Sequence, residues 1–159
     1  MLTAEYVRGI VDGEGSFTVY VRDPHEVAER KRRVKVEPKF ILKLQERDLS
    51  VLKELKKFFG CGKIYSQPDA RPNHQYCYRF EVFNRMELQE VIIPFFRKNP
   101  PQAPSKLKDF EAFAIIVDLL EQKVHKTSDG LEKIWNLKCQ MHRGSLDAGN
   151  PHVQWEHQS

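Results

Sequence analysis

The sequence predicts an α+β fold of the order α-β-β-α-β-β-α, with a four-stranded antiparallel sheet and extra C-terminal helices. Three observations predict it. Apolar residues switch between three-to-four-residue spacing and strict alternation, the marks of amphipathic helices and half-buried strands. Glycine and proline clusters fall where the period changes. The alternating runs come as two pairs with helical patterns between and after them, which suits an antiparallel sheet covered on one face. The 159 residues, 40% hydrophobic and 30% charged, suffice for a single domain with a real core. We place that domain at residues 1–141, with a loosely ordered tail over 142–159.

Each element has its own signal. Leu2 to Asp12 reads as a helix, with Thr3 as N-cap and Tyr6, Val7 and Ile10 at helical spacing; Gly13 and Gly15 stop it. Ser16 to Val21 alternates and reads as a strand. Asp23-Pro24 opens a polar loop to Arg33, after which Val34 to Gln45 alternates again. Asp48 is the expected N-cap of a helix over Leu49–Phe59, which Gly60-Cys61-Gly62 ends. Lys63–Gln67 and His74–Phe83 read as the second strand pair, joined by the turn-rich Pro68 to Asn73. Arg85–Arg97 reads as a helix with Leu88, Val91, Ile92 and Phe95 inward. Pro100, Pro101 and Pro104 break it. Ser105 is the expected cap of a long helix to about Val124, and a last helix runs from Ser128 or Asp129 to about Met141.

Composition narrows the functional classes. The longest apolar stretch, Phe113–Leu120, is far too short to span a bilayer, and no charged-then-apolar leader pattern opens the sequence. Cys61, Cys77 and Cys139 are an odd number without CxxC spacing, which speaks against a disulfide framework or a zinc site and for a reducing intracellular compartment. No pair among the six histidines has the HxxxH spacing of a catalytic zinc helix. The net charge of +4 is only mildly basic, but its distribution is uneven. Arg30, Lys31, Arg32 and Arg33 form a cationic run that is either a solvated loop or a phosphate-contacting patch.

The strands place a second polar set on one sheet face: Ser16, Thr18, Tyr20, Arg22, Lys35, Lys39, Lys43, Lys63, Tyr65, Gln67, Gln75 and Arg79. Such side chains suit the donors and acceptors on base-pair edges in a DNA major groove. An ordinary solvated sheet face would also carry them.

The run Val7-Arg8-Gly9-Ile10-Val11-Asp12-Gly13-Glu14-Gly15-Ser16-Phe17 resembles the signature of the LAGLIDADG homing endonucleases. It ends a first helix in the same element order as that family. Asp48 through Phe59 with Gly60 and Gly62, then Ile93-Pro94-Phe95-Phe96 and Ser105-Lys106-Leu107, resemble the family's later helices. One copy of the signature is present, which points to the single-motif branch whose members pair as homodimers. The resemblance implies a site-specific endonuclease that makes a double-strand break in a long pseudo-palindromic double-stranded DNA target, in a DNA-containing compartment such as a prokaryotic cytoplasm or an organelle.

It further implies that Glu14, with the backbone carbonyl of Gly13, binds a divalent metal. Mg²⁺ is expected, with Mn²⁺ able to substitute and Ca²⁺ supporting binding without cleavage. Lys106 and Gln45 are the other expected catalytic residues. Gly9, Asp12 and Gly13 are assigned to the dimer interface, where small residues four apart let two helices approach. Paired carboxylates near a two-fold axis repel unless a cation sits between them, and an open oxygen-ligand site suits Mg²⁺. Two positions depart from the family pattern. Glu14 stands where the family name has aspartate, and Arg8 replaces a small residue, so it is expected to face outward or toward a phosphate. The competing reading is a non-cleaving DNA- or RNA-binding relative, such as an intron maturase or a regulator.

Overall fold

The computed structural model describes residues 1–25, 34–68, 71–73 and 76–142. Among them the order is α1 (Ala4–Glu14), β1 (Gly15–Val21), β2 (Val36–Gln45), α2 (Leu49–Phe59), β3 (Lys63–Gln67) and β4 (Cys77–Val82). Then follow α3 (Arg85–Glu87), a π turn (Leu88–Ile92), α4 (Ile93–Lys98), α5 (Pro104–Glu121) and α6 (Ser128–Gln140). The strands form one sheet in the order β1-β2-β4-β3, and β4 pairs antiparallel with both β2 and β3. The α+β class and the four-stranded sheet expected from the sequence are therefore present. The cation run Arg30–Arg33, Gln75 and nearly all of the expected tail lie outside the described residues.

The described chain divides into two compact units. The first comprises Met1–Phe17 and Lys39–Gln102. Its core is aromatic: Phe17, Phe40, Phe80 and Phe96 are fully buried and Phe59 nearly so. Phe17 stacks on Phe40 at 5.2 Å and meets Phe96 edge-on at the same distance; Phe59 stacks on Phe80 at 6.2 Å. Such offset and edge-on pairs add roughly 0.5–1.5 kcal/mol each beyond the area they bury.

Several expectations need correction in this unit. Helix α1 starts two residues late, with Thr3 capping the N–H of Tyr6 as expected, and it runs on through Gly13 and Glu14. Gly13 therefore does not stop it; the stop is Gly15, which leaves in an extended conformation while its N–H closes on Val11 O. A Cβ on Gly15 would lie 2.7 Å from Val11 Cγ1, so this turn from helix to strand admits only glycine. Asp48 makes no capping hydrogen bond, because a short 3₁₀ turn, Glu46–Asp48, leads directly into α2. Strand β4 begins at Cys77, three residues later than expected, and Tyr76 ahead of it is exposed.

The helix expected over Arg85–Arg97 is interrupted by the π turn. Pro94 lacks an N–H and its ring crowds the carbonyl four residues back, so the regular ladder cannot run through this point. The extra residue rotates the buried face: Leu88 and Ile92 are inward, but Ile93 and Phe96 succeed them, and Phe95 is only half-buried.

The second unit comprises the described residues of Thr18–Pro38 and those from Ala103 onward. Ser105 does not cap α5. Pro104 occupies the first turn and Ala103 the cap position without a side-chain bond, which uses proline's preset φ and its missing donor. Helix α5 buries residues almost all round, including Phe110, Phe113, Ile116, Val117 and Leu120, the mark of a central helix. Helix α6, capped by Thr127, packs against it.

Asp109 on α5 is 8% exposed. It accepts the backbone N–H of His142 at 2.7 Å on one oxygen and lies 3.2 Å from His142 Nδ1 on the other. Burial pushes its carboxyl up, but hydrogen bonds and charge from His142, with a smaller contribution from Lys106, outweigh it and hold the group below the ordinary aspartate range. A depressed folded-state pKa contributes stability above the unfolded value and loses it as pH falls through the folded one. Asp109→Asn is thus expected to lower stability by roughly 1–3 kcal/mol at neutral pH. The gap to wild type should narrow in denaturant melts as pH falls below the ordinary aspartate range. A gap that persists unchanged in acid would mean that charge is not what Asp109 contributes.

Candidate nucleic-acid interface and metal centre

Alternation sends Phe40, Leu42, Phe80 and Val82 to the core and the intervening residues to the opposite face. The register then sets three rows across β2, β4 and β3 on that face. They are Gln45–Cys77–Gln67, Lys43–Arg79–Tyr65 and Ile41–Glu81–Lys63. Lys39 joins from the next turn of the pleat on β2. Of the residues expected at a DNA-reading surface, Lys39, Lys43, Lys63, Tyr65, Gln67 and Arg79 are thus brought together within the first unit. Lys43 and Lys63 are exposed; Lys39, Tyr65, Gln67 and Arg79 are half-buried.

Ser16 lies at the start of β1, half-buried. In the second unit Thr18 is half-buried on β1, Tyr20 is exposed further along it, Arg22 is exposed just past it, and Lys35 is exposed ahead of β2.

One member of the face was not singled out from the sequence. Glu81 is 4% exposed, and its carboxylate lies 3.3 Å from Lys39 Nζ and 3.1 Å from Arg79 Nε. The available signal was an acid placed two residues from Arg79 on the same strand.

Glu14 ends α1 and is exposed. It and Asp12 occupy the last helical turn, which holds no basic residue. Carboxylates are disfavoured there because the helix macrodipole is negative at that end. An uncompensated acid at this point is unfavourable for the helix. Asp12 is half-buried, and both its oxygens accept the backbone N–H of Gln102, at 3.1 and 3.0 Å. Its carboxylate is thereby tied to the stretch that precedes α5.

Gly9 and Gly13 lie one above the other on α1, both exposed. A Cβ added to either would meet nothing within 4 Å. Among the described residues no contact in the chain explains them. Arg8 is half-buried.

Gln45 ends β2, half-buried, and its Oε1 is buried without a hydrogen-bond partner among the described residues. Lys106, half-buried in the first turn of α5, belongs to the second unit and contributes to the field at Asp109. No group of three or more His, Cys, Asp or Glu side chains among the described residues is placed to hold a metal. At the end of α1 one chain therefore offers Glu14 as its exposed carboxylate, with hard oxygen donors. That fits a divalent cation only if further ligands come from a phosphate and a second carboxylate. No described helix is long and apolar enough to cross a membrane.

Comparison with known proteins gives the family of the chain. The chain is 34% identical over 140 residues to the probable intron-encoded endonuclease 3 of Neurospora crassa, with 87% of this chain covered and 24% of that protein. The chain thus spans about a quarter of that relative's length. Its fold matches the crystal structure of the homing endonuclease I-TnaI with a TM-score of 0.72 and 33% identity, covering 91% of this chain and 90% of that one. It also matches I-SmaMI, bound to an uncleaved DNA target in the presence of calcium ions, with a TM-score of 0.79 and 30% identity. That match covers 98% of this chain and 49% of the other. Residues 7–117 match the model of the LAGLIDADG endonuclease, and the chain belongs to that family.

Proposed function

We propose that this chain is a site-specific, divalent-metal-dependent DNA endonuclease that acts as a homodimer on a pseudo-palindromic double-stranded target. The observation that carries the reading is Glu14, exposed at the negative end of α1 within the family's signature. The bare glycine face of α1 supports the dimer. A copy of α1 packed on Gly9 and Gly13 would bring a second Glu14 close to the first, and an isologous pair suits an inverted-repeat site. Asp12, tied to the Gln102 backbone, shapes that helix end rather than serving as a ligand.

The chain's own residues then divide the work. Glu14, with the Gly13 carbonyl, holds the cation, for which Mg²⁺ is our assignment. When bound, such a cation polarises a phosphoryl oxygen and makes water a better nucleophile. Gln45 offers a buried amide oxygen able to hold a water by hydrogen bonding. Lys106 supplies a positive charge to offset the charge that develops on the phosphate. The sheet face and the cation run Arg30–Arg33 grip the duplex, phosphates for position and base edges for sequence.

The test is direct. The protein is incubated with a random-sequence duplex library and with the DNA flanking its gene, rejoined without the intervening sequence. Double-strand breaks at one defined sequence are expected in Mg²⁺ and Mn²⁺, none with chelator, and binding alone in Ca²⁺. Specific binding with no cleavage in either metal would establish the non-cleaving alternative instead.

A further inference from the structure

We propose that Glu81 is a positioning residue that fixes Arg79 as the reader of a guanine in each half-site, an inference that rests on the DNA-binding reading above. The starting point is a conflict. Glu81 places a nearly buried carboxylate in the middle of a face otherwise suited to a polyanion. There it weakens the attraction for phosphates, and burying it costs desolvation that only close cations repay. A carboxylate kept under these conditions is explained by what it holds.

Glu81 pairs with Arg79 along the strand, and Tyr65 lies against it across the strand pair. The Nε of Arg79 is 3.1 Å from Glu81 Oε2, close enough for an ion pair although the N–H is not aimed along that line. The guanidinium carbon lies 5.4 Å from the centre of the Tyr65 ring, directly across the strand pair. Nε is buried, whereas the side chain as a whole is 39% exposed. The exposed share therefore lies elsewhere on the side chain, on the stem or the terminal nitrogens. Lys39 closes the other carboxylate oxygen at 3.3 Å, so Glu81 cannot easily turn away. A guanidinium clamped at Nε and against a ring presents its outer N–H groups as a fixed fork.

That fork matches the O6 and N7 acceptors of guanine in the major groove, the commonest specific contact made by arginine. A phosphate would accept it equally well, but the position decides. Strand β4 is internal to the sheet, between β2 and β3. In a sheet laid into a groove, the middle strands face base edges and the rim faces the backbones.

The experiment uses the full chain and a duplex selected by the wild type, with each base pair varied in turn and mirrored in the two half-sites. Wild type should prefer guanine at one position per half-site by roughly 10- to 100-fold. Replacing that guanine with 7-deazaguanine should remove most of the preference. Arg79→Lys keeps the charge but not the fork. It should lose discrimination at that position alone while retaining the salt dependence of binding.

Glu81→Gln should reduce the same preference by roughly 3- to 10-fold and do nothing further in an Arg79→Ala background. A merely structural Glu81 would weaken binding to all sequences alike, in either background. Should Glu81→Gln fail to fold, Glu81→Asp, which keeps the charge and withdraws it by one methylene, should lower the same preference, and an unchanged preference in that variant would overturn the positioning role. Specific binding by wild type with Arg79→Lys weakening every sequence equally would overturn the inference and leave the DNA-binding reading intact. Absence of any sequence-specific binding by wild type would overturn both.

Discussion

Glu14→Gln is expected to reduce strand cleavage by at least about 10³-fold, on the order of 4 kcal/mol of transition-state stabilisation, while the specific complex with DNA survives. The substitution keeps the shape of the side chain and removes the charge that attracts a cation. Glu14 is exposed, so no core packing depends on it. Because the acid opposes the helix macrodipole, the fold should be no less stable without it. The measurement pairs a gel-shift assay in Ca²⁺ with single-turnover cleavage in Mg²⁺. Glu14→Asp serves as the conservative control and should retain cleavage, since it only shifts the carboxylate by one methylene. Cutting by Glu14→Gln within a few-fold of wild type would remove Glu14 from the reaction.

Leucine at Gly9 or Gly13 is expected to have opposite effects on the chain and on its assembly. In the isolated chain both positions are helical with open space at Cβ. Leaving glycine should therefore stabilise α1, by up to roughly 1 kcal/mol per site. In the dimer each substitution is made twice, and inserting bulk into a packed contact costs roughly 1–3 kcal/mol per site. Gly13→Leu should thus raise the dimer dissociation constant by roughly 30-fold or more, with cleavage falling in step. Sedimentation velocity gives the assembly and thermal melting the fold. If wild type is a strict monomer at micromolar concentration, free and on DNA, the glycine face has another purpose. Loss of fold stability in the variants would show an intrachain contact.

The helix-to-strand turn at Gly15, the aromatic core and the two strand pairs were legible in the sequence because each rests on a local signal that tertiary contacts reinforce. Phe17, Phe40 and Phe80 fall on the alternating phase that the core demands. Misreadings arose where two local rules compete. Gly13 looks like a helix breaker, yet a final turn tolerates it. Ser105 looks like a cap, yet Pro104 one residue earlier already suits the first turn. Pro94 sat inside an apolar helical pattern that concealed its effect on the hydrogen-bond ladder, so the buried face shifted from Phe95 to Phe96.

Glu81 was illegible for a different reason. Its significance depends on the register between β4 and β2, which brings Lys39 to it, and on that between β4 and β3, which sets Tyr65 opposite Arg79. No periodicity within one strand reports that. The open glycine face is likewise a statement about absent contacts, which spacing alone suggests but does not establish.

The two hydrogen bonds between Asp12 and the Gln102 backbone join residues ninety positions apart. In the order in which a chain emerges during synthesis, they cannot form until nearly the whole first unit exists. Closing so long a loop is also among the slower steps of folding. These two ties at the end of α1 therefore wait for the last residue of that unit. A chain interrupted before Gln102 would have the signature in full and its acid in the right sequence position, with the helix end beside it untied.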